Sequence, residues 1–143
     1  MYNPRTDERL DAIYYVQGHY VPDVMQSLYR ILRDVRSDEM RAMDPRLIDI
    51  LSATQWLIGY DRPYSVISGY RTQRTNDLLR SRNRGVAKKS YHIRGMAADV
   101  RMQGVSVDLL QSAGKHIGAG GVGAYTRSNF VHLDSGPVRA WGS

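Results

Sequence analysis

His92 and Asp99 stand seven residues apart in Ser90-Tyr-His-Ile-Arg-Gly-Met-Ala-Ala-Asp-Val, and His132 follows in Phe130-Val-His-Leu-Asp. Two imidazoles and one carboxylate from separate elements make a donor set for zinc that leaves one or two positions open for water and substrate. That is the arrangement of a catalytic rather than a structural zinc. Manganese, iron or cobalt could occupy the same donors. Taken singly, each residue also has a structural reading: His92 in a turn, Asp99 as a cap or ion-pair partner, His132 as a core histidine with one hydrogen bond.

The elements that must position these groups follow from local pattern. Ala97 to Met102 alternates as a strand and carries Asp99, while His92 ends a polar loop, Arg82 to Tyr91, that contains Gly85. On the last strand His132 and Asp134 are two apart and share a face, with Val131 and Leu133 on the other, so one face is chemical and the other apolar. Tyr64 to Ser68 reads as a short buried strand. Gly69 then lets Tyr70 and Arg71 leave the strand end before a helix from Thr72 to Ser81. Ser106 caps a helix through about Lys115, after which Gly118, Gly120, Gly121 and Gly123 break the chain before the final strands.

Upstream, Arg9 to Val16 and His19 to Val21 read as a hairpin turned at Gln17-Gly18. Pro22 to Arg36 keeps helical spacing through Val24, Met25, Leu28, Ile31, Leu32 and Val35, and Asp44-Pro45 starts a second helix that runs to Gly59. The expected fold is α+β: a small, mostly antiparallel sheet with the zinc on one face and helices packed on the other. His19 beside a turn and His116 at a helix end read as structural.

At 143 residues the chain suits one domain, residues 1–143, and is too short for two. Its 42% apolar and 24% charged residues are those of a globular protein, and no apolar run approaches the roughly 20 residues of a membrane span. Without cysteine, disulfides and thiolate metal sites are excluded. The opening Met-Tyr-Asn-Pro-Arg-Thr has no basic start with a following apolar run, so no secretion signal is expected there. The net charge of +6 favours carboxylate-rich or polyanionic partners. Nucleic acid is the least favoured of these. The densest basic stretch, from Arg71 to Lys89, has aromatic residues only at its ends, Tyr70 and Tyr91, and reads as a solvated helix and loop beside a site.

Ser68-Gly-Tyr-Arg-Thr, Gly85-Val-Ala-Lys, the His92–Asp99 segment, Gly120-Gly-Val-Gly-Ala-Tyr and Phe130-Val-His-Leu-Asp-Ser-Gly-Pro-Val-Arg-Ala-Trp resemble the YcbK or MepK-type murein endopeptidases. These belong with the D-Ala-D-Ala carboxypeptidase-like zinc peptidases, a group that includes lysostaphin and the zinc domain of sonic hedgehog. Tyr2-Asn-Pro-Arg-Thr-Asp-Glu, Leu32-Arg-Asp-Val-Arg and Asp44-Pro-Arg-Leu-Ile-Asp extend the resemblance to the N-terminal half.

The resemblance implies that His92, Asp99 and His132 bind zinc, and that the chain hydrolyses peptide crosslinks of peptidoglycan beside meso-diaminopimelate, in the periplasm or cell envelope. Arg71 is the expected partner of a substrate carboxylate or developing oxyanion, with a buried ion pair to Asp99 or Asp134 as its structural alternative. Tyr91, Tyr125 and Trp141 are expected to wall the substrate groove. Metal-assisted hydrolysis needs a base, and relatives carry an acid three positions before the last histidine, where this chain has Asn129. Asp134 is the expected base, ahead of His116 or a water-positioning Asn129. The other reading of Asp134 is an acceptor that orients a ligand imidazole. Without a base the alternative function is a murein-binding domain with catalytically idle zinc.

Overall fold

Short strand pairs build the N-terminal edge. In the computed structural model, which describes residues 1–142, β1 (Tyr2–Asn3) pairs antiparallel with β2 (Glu8–Arg9), and β3 (Tyr15–Val16) with β4 (His19–Tyr20). The second pair is the predicted hairpin: Gln17 and Gly18 take φ of 49° and 82°, the left-handed twist a two-residue turn requires. It is shorter than predicted, because Arg9 pairs with Tyr2 of β1 instead.

α1 (Pro22–Ile31) and α2 (Pro45–Ile58) follow, the latter opened by the Asp44 carboxylate accepting from Arg46 N at 3.0 Å and closed at Gly59. Then come β5 (Tyr64–Ser68), α3 (Gln73–Arg82), a 3-10 turn at Tyr91–Arg94, β6 (Ala97–Met102) and α4 (Val107–Ile117) capped by Ser106. β7 (Gly121–Tyr125), a 3-10 turn at Thr126–Ser128, β8 (Phe130–Asp134) and β9 (Arg139–Trp141) complete the chain. Seven strands form one sheet in the order β2-β1-β5-β6-β8-β7-β9, antiparallel except for the β1–β5 and β7–β9 pairs. The α+β fold is the expected one. No helix of the described residues is long and apolar enough to cross a membrane.

The period of two in the central strands divides the sheet. Ala98 and Val100 of β6 and Val131 and Leu133 of β8 are fully buried in a core with Leu47, Ile48 and Leu51 of α2 and Leu110 of α4. Asp99 and His132, at the intervening positions, are left on the other face.

Two expectations are corrected. The glycine run does not end before the strands: Gly121 and Gly123 lie within β7. A Cβ on Gly123 would meet the Trp141 ring, and one on Gly121 would meet Arg139 and Asp134, so these glycines admit side chains from the adjoining strands. α1 also stops at Ile31 rather than Arg36, because the next residues are recruited elsewhere. The Leu32 carbonyl accepts from Tyr70 N (2.7 Å), and the Asp34 carboxylate accepts from Thr72 N (2.9 Å), Thr72 Oγ1 (3.0 Å) and Arg36 N (3.0 Å).

Asp34 is buried and ties the end of α1 to the start of α3, so Asp34→Asn is expected to destabilise the fold by about 1–2 kcal/mol. Burial would raise its pKa, but hydrogen bonds from Thr75, Thr72 and Arg36 hold it below the usual range. A depressed folded pKa stabilises above the unfolded value of about 3.9 and loses that effect as pH falls through the folded value. Urea titrations should show the full difference between wild type and Asp34→Asn above roughly pH 5, narrowing below about pH 4.

Candidate metal centre

Each member of the triad is placed by local chemistry. Ser90 Oγ accepts from His92 N (3.3 Å) to start the 3-10 turn, and Gly95, at φ 68°, ends it. A Cβ on Gly95 would lie 2.8 Å from the Ala42 carbonyl, and the Gly95 carbonyl accepts from Asp44 N, so the turn is locked against the start of α2. Asp99 and His132 are directly opposed across the β6–β8 ladder.

The three side chains converge on one point. His92 Nε2 lies 3.1 Å from Asp99 Oδ1 and 3.2 Å from His132 Nδ1, and His132 Nδ1 lies 2.9 Å from Asp99 Oδ1. Donors bonded to one tetrahedral zinc at about 2.0–2.1 Å lie about 3.3 Å apart, so these separations fit a shared ion.

The outward nitrogens fix the tautomers. His92 Nδ1 donates to the Gly69 carbonyl (2.7 Å), and His132 Nε2 donates to Asp134 Oδ2 (2.8 Å). A neutral imidazole so bonded turns a bare lone pair inward, and two such pairs facing a carboxylate oxygen call for a cation. Burial lowers the His92 pKa and keeps it neutral. Burial also opposes protonation of His132, but the Asp134 and Asp99 carboxylates prevail and raise its pKa to about 9, a measure of the site's demand for positive charge. Asp99 would likewise be raised by burial, yet the facing His92 and His132 hold it far below the carboxylate range. Chelating side chains, tautomers and charge therefore all suit a divalent metal.

Asp134 lies behind His132, away from the convergence point. It is fully buried, and its oxygens accept from His132, from Arg139 Nη1 (3.0 Å) and Nη2 (2.8 Å), and from the backbone N–H groups of Gly121 (3.2 Å) and Gly136 (2.9 Å). Arg71 gives Nη2 to Asp99 Oδ2 (2.6 Å) and Nε to Ser68 Oγ (2.8 Å), while its Nη1 meets no partner among the described residues. Asn129 and His116 are exposed and outside the triad, Asn129 in the turn before β8, where it lines a hollow with Ser65 and Arg101. His19 is exposed on β4.

The three expected wall residues are brought together by one that sequence reading left without a role. Arg139 lies over the Tyr91 ring (5.1 Å) and the Trp141 ring (4.9 Å), Trp141 packs on His132 at 5.3 Å, and Trp141 Nε1 donates to Tyr125 OH (3.1 Å). In the sequence Arg139 stands two residues before Trp141, within the segment Phe130 to Trp141. A cavity of about 1060 Å³ lies elsewhere, against the N-terminal segment and α2, and shares no lining residue with the triad.

A family model described as "Peptidoglycan L,D-endopeptidase MepK", within the M15 peptidases, matches residues 1–141. The chain is similar to peptidoglycan L,D-endopeptidase MepK of Escherichia coli K12, with 42% identity over 139 residues, covering 97% of this chain and 76% of that protein. It is also similar to the probable peptidoglycan L,D-endopeptidase MepK of Haemophilus influenzae, with 39% identity over 140 residues, covering 97% and 75%. By this coverage and identity the chain belongs to the M15 peptidase family of the MepK type, as the resemblance in its motifs implies.

Proposed function

We propose that the chain is a zinc-dependent peptidoglycan endopeptidase that hydrolyses peptide crosslinks next to meso-diaminopimelate in the cell envelope, with His92, Asp99 and His132 as the zinc ligands. The observation that carries this reading is the convergence of two imidazoles and a carboxylate on one point, with the outward imidazole nitrogens bonded to the Gly69 carbonyl and Asp134, in a chain matched almost end to end by a peptidase family. Zinc held by His92, Asp99 and His132 would supply Lewis acidity toward an amide carbonyl and would lower the pKa of a bound water toward neutral pH.

The protein's own groups do the rest. The Gly69 carbonyl and Asp134 keep the two imidazoles in their metal-binding tautomers. Arg71 holds Asp99 in register through Nη2, and its Nη1 is the group proposed to meet a substrate oxygen. Tyr91, Trp141 and the partly exposed Tyr125 border the approach. The net charge of +6 draws in stem peptides that carry free carboxylates. Asp134 acts through His132 rather than on the attacking water, because its lone pairs are committed to five N–H groups on the far side of the ring.

Digestion of crosslinked muropeptide dimers, followed by liquid chromatography and mass spectrometry, is expected to give monomers with zinc-loaded protein and none after chelation, with activity returning on zinc addition. Intact dimers in a sample holding stoichiometric zinc would replace the peptidase with a murein-binding domain. The product masses name the bond.

A further inference from the structure

Beside the Arg71–Asp99 pair the surface opens into a groove of about 200 Å³. Four arginines line it, Arg5, Arg33, Arg36 and Arg71, against two carboxylates, Asp34 and Asp99. Both carboxylates are committed, Asp34 to Thr72 and the Arg36 backbone and Asp99 to Arg71 and the histidines. Arg33 is also neutralised, by Glu8 and Asp38, each at 2.6 Å.

Arg5 and Arg36 differ. Both are exposed, and neither guanidinium meets an anion among the described residues. Their backbones are nevertheless held. Arg5 N donates to Asn3 Oδ1 (3.1 Å), Arg36 N donates to Asp34 Oδ1 (3.0 Å), and the buried Asn3 is itself bonded to the Ile31 carbonyl. Two unneutralised guanidinium groups therefore stand on fixed backbone along a groove that reaches the metal-facing carboxylate. They belong to the N-terminal segments Tyr2–Glu8 and Leu32–Arg36, outside the metal-binding triad.

The geometry points to a carboxylate subsite: Arg5 and Arg36 receive a free carboxylate of the substrate peptide, away from the bond being cleaved, as the peptide runs along the groove from the metal centre. This rests on the peptidase reading above, which makes the ligand a stem peptide. A guanidinium fork matches a carboxylate in bidentate fashion, and the groove's volume suits one short side chain.

The test is calorimetric titration of zinc-loaded protein with a monomeric stem tetrapeptide, once with the free diaminopimelate carboxylate and once with that group amidated. Wild type is expected to bind the free acid about tenfold or more tightly, as charge-assisted hydrogen bonds would give. In Arg5→Gln/Arg36→Gln the two affinities should agree within about twofold. Arg74→Gln/Arg82→Gln, which removes the same charge from the exposed face of α3, should keep the wild-type ratio. Equal affinities in wild type, or an undiminished ratio in Arg5→Gln/Arg36→Gln, would overturn the subsite. Hydrolysis of dimers is scored separately. Acid-dependent binding without hydrolysis sinks the peptidase reading and leaves the subsite standing, and hydrolysis without acid preference does the reverse.

Discussion

Asp99→Asn is expected to release zinc and to lower turnover of crosslinked muropeptides on the order of 10⁴-fold, because the activation of water that the ion supplies is lost with it. The substitution keeps the side chain's shape and removes its charge, so the change isolates electrostatics. Asp99 carries two burdens, its Oδ1 facing both imidazoles and its Oδ2 holding Arg71 at 2.6 Å. Neutralising it leaves a mostly buried guanidinium without its anion, which adds a stability loss of about 3 kcal/mol. Metal content by mass spectrometry, turnover and thermal melting should all fall together. A variant that keeps stoichiometric zinc and a tenth of the turnover would remove Asp99 from the ligand set.

Asp134→Asn should weaken zinc binding by about 10–100-fold, with the turnover loss largely recovered at saturating zinc. The reason is a count of donors. With its carbonyl kept toward His132 Nε2–H, the new amide would point its own N–H groups at Gly121 N, Gly136 N and Arg139 Nη1, donor against donor. With its amide nitrogen toward His132, the imidazole loses the acceptor that keeps its inner nitrogen bare. A direct base would behave differently: zinc affinity unchanged, and turnover lost at every zinc concentration.

Much of the fold was legible because it is written in local chemistry. Asp44-Pro45 and Ser106 announce their helices by capping, Ala97 to Met102 announces a strand by alternation, and Tyr64 to Ser68 reads as a short buried strand, in close agreement with the bounds observed. What stayed hidden depends on distant partners. The end of α1 is decided by Thr72 and Tyr70, some forty residues on. The strand character of Gly121–Tyr125 comes from its pairing with β8 and β9, and the parallel β1–β5 pair has no local signature.

At the site, residue type and the two-residue spacing placed Asp134 beside His132, as the structure has it. They do not say which ring nitrogen it meets, and that detail separates an orienting acceptor from a base. Arg139 escaped notice because its role exists only once β9 lies beside β7.

The pairing of Asp99 with His132 across one rung of the ladder has a consequence for which ions the protein can accept. Two of the three donors share a rung of central strands and cannot spread without breaking sheet hydrogen bonds, and the third sits on a turn bolted to α2. The chelate bite is therefore set by the fold before any ion arrives. An ion of larger radius, such as calcium, which wants six to eight oxygen donors at roughly 2.3–2.6 Å, finds a triangle too small and too rich in nitrogen to hold it. Selection among the smaller first-row ions then falls to their supply around the protein rather than to any give in the protein.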